Sequence, residues 1–319
     1  MSTQRDSTDR PGRIDAVPVR HPWRWVAIVI IAVLVAMFIN MLVTNPAFEW
    51  SFIVQAMQQS PVLRGLYVGT ILVTVLSMVV GIVIGVVLAV MRLSPNPILS
   101  GVSWVFTWFF RGVPRLVLLT LMGALGIVFQ QGLGFGVPFD TEIAHLFGMN
   151  AQWRFLTLDA NAVFSGLAGG VIGLGLSEAA YMAEIARAGI LSVDQGQSEA
   201  AEALGMDRGR TMRRVVLPQA MRVIVPPTGN ETISMLKDTS LMIGIPVTTE
   251  LFYQLQLIGS RTYKTFPVLV AAIIFYLILT SILMVGQYFL EKRFGRGFGT
   301  ASNPGARKLF TRPGGAGGA

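Results

Sequence analysis

The chain has 319 residues, 53% of them hydrophobic and only 13% charged, and a formal net charge of +8. A mean hydropathy of +0.61 with so few charges excludes an ordinary soluble domain, in which about a quarter of residues are charged, and points to an integral membrane protein. The basic excess falls mostly between apolar runs, where it orients a membrane protein rather than binding nucleic acid.

Residues 1–24 are polar, with Pro11, Pro18 and Pro22, and read as a disordered cytoplasmic tail. Trp25 to Val43 is the first run long enough to span; a hydrocarbon core of about 30 Å needs roughly 20 helical residues. An uncleaved helix is preferred to a signal peptide, because the run is long for one and no small-x-small site follows. Thr44 to Leu63 reads as a loop, and Leu66 to Val90 as the second span, with Gly81 and Gly85 at GxxxG spacing. Ser100 to Phe110 is aromatic. Running one helix straight through it would bury Arg111 and Arg115, which is costly, so an interfacial segment ending at Arg111-Gly112 is expected. Pro114 then lies near the start of a third span, Val113 to Phe129.

Gln130 to Asn161 reads as an external loop, and Ala162 to Ile185 as a Gly-rich fourth span interrupted by Ser177 and Glu178. A polar, charged stretch follows from Gln195 to Pro218. Val223 to Ile245 is a fifth span of low hydropathy, carrying Asn230, Glu231, Lys237 and Asp238; Val247 to Lys264 reads as an external amphipathic piece. Phe266 to Leu290 is the last span, and the Gly-rich tail over 293–319 is expected to be disordered. Basic residues collect in alternate loops and in both tails. That asymmetry predicts an all-α integral membrane protein of about six helices with both ends in the cytoplasm.

Signals for catalysis are missing. The sequence has no GxxxxGK[ST] loop, no HExxH and no GxSxG, and it holds only two His and no Cys. No catalytic residue and no metal site are therefore assigned. An energy source has to be a partner or an ion gradient.

The stretch from 195 to 218 carries the most specific pattern. Glu199-Ala200-Ala201, then Gly205, then Leu217-Pro218 follow the order Glu-Ala-Ala, three residues, Gly, nine residues, Ile, one residue, Leu-Pro, with Val215 in place of Ile. This resembles the cytoplasmic loop of binding-protein-dependent ABC importer permeases. The flanks, Ala180-Tyr181 with Glu184 and Arg187, Pro218-Gln219-Ala220, Asn230 and Lys237 to Leu241, resemble the polar amino acid branch of that family. Arg111-Gly112-Val113-Pro114 resembles its Arg-Gly-Thr-Pro signature, with Val113 replacing Thr. The resemblance covers roughly residues 60 to 292, so that a permease core at 60–292 would carry an extra N-terminal helix at 25–43.

It implies a type I importer permease with a coupling-helix loop, Gly196, Glu199, Ala200, Ala201, Gly205, Leu217 and Pro218, on which two ATPase subunits dock. ATP and Mg would bind those partners and no cofactor this chain. A second permease copy or a related permease, an external amino-acid-binding protein and the bilayer of a bacterial cell membrane complete the implied assembly. Charges within spans are expensive and tend to face a bundle interior or a water-filled path. Ser177, Glu178, Asn230, Glu231, Lys237, Asp238, Thr239 and Ser240 are candidates for a substrate pathway; mutual pairing that merely holds the bundle is the other reading. An ion-gradient-driven secondary transporter remains the alternative function, but it leaves the polar loop without a role.

Overall fold

The computed structural model describes residues 22–129, 132–148, 153–245 and 247–295, and the side chains of 140–142 are not among them. Most of the expected tails, 1–24 and 293–319, thus lies outside the described residues. The chain divides into two units, residues 1–48 and 49–319. The first holds α1 (Trp23–Thr44), apolar from Trp25 to Ile39, with none of its residues buried. That is the surface a lone helix needs in hydrocarbon, where every backbone polar group is bonded within the helix.

The second unit begins with α2 (Trp50–Met57) and α3 (Ser60–Arg64), where a loop was expected. The short helix α2 places Ile53 and Ala56 inward, and α3 opens with Pro61 near its first turn, a position that needs no N–H donor. From α3 the chain runs through a stretch of wide π-type turns at 65–72 into α4 (Val73–Arg92), so the second span is longer than predicted. A π-type turn inserts one residue into the helical ladder and marks a local requirement rather than a default. The requirement is visible at Gly69, where an added Cβ would lie 2.2 Å from the carbonyl oxygen of Thr249.

The helix α5 (Pro97–Gly112) starts at Asn96, whose side chain accepts from the Ile98 amide at 2.9 Å. It stops before Pro114, and α6 (Arg115–Val128) departs at 103° to it. The break expected at Arg111-Gly112 is therefore present; the expectation that it keeps Arg115 out of the interior is not met. Beyond α6 lie β1 (Leu133–Gly136), α7 (Asp140–Leu146) and β2 (Arg154–Leu158), the strands pairing antiparallel with Phe135 opposite Leu156. After α8 (Ala160–Phe164) comes α9 (Gly166–Leu191), then α10 (Gln195–Ala203), α11 (Arg208–Thr211) and a wide-turn stretch at 212–216 that leads without a break into α12 (Leu217–Asp238). A 3-10 segment, Thr239–Gly244, then α13 (Leu251–Thr262) and α14 (Thr265–Phe294) complete the described chain.

Among the described residues, four helical stretches are long and apolar enough to cross a membrane: α1, α3 to α4, α9 and α14. The bent pair α5–α6 makes a fifth. The remaining long helix, α12, is the low-hydropathy segment anticipated near 223–245; Pro226, Pro227 and its charged residues keep it below that apolarity. The Gln287 amide of α14 donates to the Pro226 carbonyl at 2.8 Å and ties the two helices together beside the prolines.

Apolar attraction does not draw helices together in lipid, so close backbone approach has to. The helices α4 and α9 make that approach. A Cβ on Gly81 would sit 2.7 Å from Cγ of Glu178, and one on Gly85 2.5 Å from Cβ of Met182. Two larger buried clusters make up the core, and the first includes residues of both seam helices. One joins Val73, Met78, Leu119, Leu174, Met182 and Met235; the other joins Ile53, Val62, Leu66, Leu251, Leu255 and Phe275. The outward faces of α4 and α14 remain apolar, with Val75, Val79, Val83, Ile278 and Ile282 exposed.

Candidate functional site

Two constellations stand out. The first is the hairpin between α9 and α12. Asp194 caps α10 by accepting from the Gly196 amide at 2.7 Å. The helix ends in a reciprocal pair of bonds, Gly205 N–H to the Glu202 carbonyl at 2.9 Å and Met206 N–H to the Ala201 carbonyl at 3.0 Å. That closure needs a left-handed residue at its centre, and Gly205 has φ +79°. Asp207 then caps α11 through the Arg210 amide at 2.9 Å. Ala201 is buried, as are Thr211 and Val216, whereas Glu199, Ala200, Glu202, Ala203 and Leu204 face outward. The hairpin thus presents two carboxylates, small side chains and one bare leucine, 84% exposed. It is tied at both ends to long helices. Leu217 and Pro218, exposed themselves, open α12, so a displacement of the hairpin acts directly on that helix.

The second constellation lies inside the bundle. Glu178, on α9, is fully buried, and its Oε2 accepts from Nη2 of Arg115 at 2.9 Å. The other arm of Arg115 donates to Asp238 at the end of α12. The guanidinium lies 4.8 Å from the ring centre of Tyr181, one helical turn along α9 from Glu178. Oε1 of Glu178 and Oγ of neighbouring Ser177 are buried without a hydrogen-bond partner. Glu231 lies two turns before Asp238 on α12.

Of the residues singled out from sequence, Glu178 and Asp238 are therefore brought together, and Arg115 is what joins them. Asn230 and Lys237 are exposed. Lys237 and Ser240 line a separate cavity of about 470 Å³ with Phe252, Tyr276 and Thr280. Thr239 and Ser240 turn their hydroxyls back onto the carbonyls of Leu236 and Lys237. Glu184 and Arg187, one turn apart on α9, form an ion pair at 2.9 Å. The sequence contained a signal for Arg115 that composition alone did not resolve: an arginine immediately after a proline at a helix start, with unpaired carboxylates in two other spans.

Glu250 is a second residue that sequence reasoning passed over. It is fully buried in a stretch expected to be external and amphipathic. Its Oε1 accepts from Tyr276 at 2.9 Å and from Thr70 at 3.2 Å, and its Oε2 caps α13 through the Tyr253 amide at 3.0 Å. It joins the wide-turn stretch, α13 and α14. Among the described residues no group of His, Cys, Asp and Glu is placed to hold a metal ion.

A helical membrane bundle with a polar hairpin levered between two long helices, and a buried charge cluster where three helices meet, defines a transport subunit. The chain belongs to the family of binding-protein-dependent transport system inner membrane components, whose profile matches residues 81–296. It is 45% identical over 293 residues, 91% of this chain and 86% of the relative, to the arginine transport system permease protein ArgU of Corynebacterium glutamicum. It is 34% identical to the L-cystine transport system permease protein TcyB of Bacillus subtilis, over 82% of this chain and 98% of the relative. A solved amino acid ABC transporter with histidines matches with a TM-score of 0.50 and 29% identity, covering 80% of this chain and 98% of that one. A chain of the MetNI methionine ABC transporter matches in fold with a TM-score of 0.51 at 21% identity.

Proposed function

We propose that this chain is the membrane-spanning subunit of an ATP-driven importer for a polar amino acid, with a basic amino acid as its substrate. The single observation that carries the reading is the hairpin: a Schellman-closed helix that exposes Glu199 and Ala200 and is joined through α11 to α12. Family membership supports the class, and the name of the C. glutamicum relative supports a cationic substrate.

On this reading residues 60–292 form the permease core, and α1 is an addition to it. Gly196, Glu199, Ala200, Ala201, Gly205, Leu217 and Pro218 form the coupling surface for two ATPase subunits that carry ATP and Mg. A second permease, identical or related, completes the pathway, and an external binding protein delivers the amino acid. Both ends of the chain lie in the cytoplasm, on the hairpin's side. Closure of the ATPases draws the hairpins together and turns the path outward; hydrolysis resets it. That is alternating access by rigid movement of bundles. Glu178 and Asp238 line the pathway, with Ser177, Asn230, Glu231, Lys237, Thr239 and Ser240 along the same helices. A secondary transporter would give the hairpin no work.

The test is uptake in cells carrying Glu199→Lys or Gly205→Asp. Both are expected to abolish uptake while the protein stays in the membrane; normal transport in either sinks the docking role.

A further inference from the structure

Arg115 occupies a place that disfavours it twice. Its side chain is only 11% exposed, so the charge is largely removed from water. It is also the first residue of α6, where the positive end of the helix dipole repels a cation. Two carboxylates from two other helices hold it there, Glu178 on α9 and Asp238 on α12. Two carboxyl groups thus face one guanidinium, and Oε1 of Glu178 remains buried with no partner. A site built only to neutralise Arg115 needs one carboxylate and no spare acceptor.

Access runs the same way. The Asp238 side chain is 28% exposed, while that of Glu178 is fully buried. The Tyr181 face, 4.8 Å from the guanidinium, is a seat for any guanidinium or ammonium group. The three groups sit on three helices. A rigid movement that separates α6, α9 and α12 breaks this bridge and strands two carboxylates, unless another cation takes the vacated place.

We propose that Arg115 is a tethered stand-in for substrate: its guanidinium fills, between Glu178 and Asp238, the position that the cationic side chain of a basic amino acid takes during transport. The inference rests on the amino acid permease reading above and adds the residue that sets its selectivity. Arg115 competes with the passing cation, and a neutral side chain has nothing to exchange with it.

The experiment uses the full transporter, this chain with its ATPase and binding-protein partners, in proteoliposomes, with labelled arginine and labelled glutamine as probes. Arg115→Gln removes the competitor. The ratio of arginine to glutamine kcat/KM is expected to rise about tenfold, because a site blocked by its own side chain loses affinity in proportion to the blocked fraction. Glu178→Gln keeps shape and leaves Arg115 paired with Asp238, so it folds even if the arginine variant does not; it is expected to lower the same ratio severalfold. Equal effects on both amino acids in the Glu178→Gln protein make the cluster a structural lock and overturn the proposal. Wild-type transport of glutamine but not arginine overturns it too, while sparing the permease reading. Transport of no amino acid at all by the wild-type complex is instead the failure of that reading.

Discussion

At the scale of single residues, backbone conformation and orphaned polar atoms decide the outcome. Gly205 closes the hairpin between α9 and α12 at φ +79°. A Cβ there meets no neighbour, so the cost of Gly205→Ala is conformational alone, roughly 1 kcal/mol. The expected result is frayed closure of α10 and slowed uptake at normal membrane abundance, read by transport assay beside an immunoblot. Glu250 presents the opposite problem. Glu250→Ala leaves the Tyr276 and Thr70 hydroxyls and the Tyr253 amide without their acceptor. Each buried orphan costs about 1–3 kcal/mol, so a clear fall in the melting temperature of the purified protein is expected. Glu250→Gln keeps an acceptor oxygen and is expected to fall less.

At the scale of elements, the α4–α9 seam turns one substitution into two opposite outcomes. Gly85→Ala pushes a Cβ to 2.5 Å from that of Met182 and 3.0 Å from the Ala179 carbonyl oxygen, and the helices have to part. Gly101→Ala on α5 meets nothing within 4 Å and relieves about 1 kcal/mol of helix propensity. Thermal unfolding of the two variants is expected to show a drop for the first and a small gain for the second. The seam was legible in the sequence as GxxxG spacing, as were α1, α4, α9 and α14, because a long apolar run admits few other structures in lipid. The hairpin between α9 and α12 was legible for a different reason: its cap, its glycine and its Leu-Pro restart are local chemistry. What stayed hidden depended on partners far apart in the chain. Arg115 looked too costly to bury because its carboxylates lie 63 and 123 residues away. The helices α2 and α3 looked like a loop because Pro46, Pro61 and sparse charge mimic one, while the buried side of α2 is set by α14.

At the scale of the whole molecule, the arrangement across the bilayer is set by charge outside the helices, and the sequence offers a direct way to measure it. The chain contains no Cys, so one introduced Cys is the sole target of a thiol reagent. Leu204, at the tip of the hairpin, is 84% exposed, and Tyr263, between α13 and α14, is 94% exposed. Between the two positions in the chain lies α12. The basic residues from Arg208 to Arg222 lie beside the first position, and only Arg261 and Lys264 beside the second. Positive charge is retained on the cytoplasmic side, so Leu204→Cys belongs there and Tyr263→Cys belongs outside. A membrane-impermeant maleimide added to intact cells is expected to label Tyr263→Cys and to spare Leu204→Cys, with the pattern reversing in inside-out vesicles. Labelling of both from one side means that the low-hydropathy helix α12 does not cross, and the hairpin then cannot transmit movement from one face of the membrane to the other.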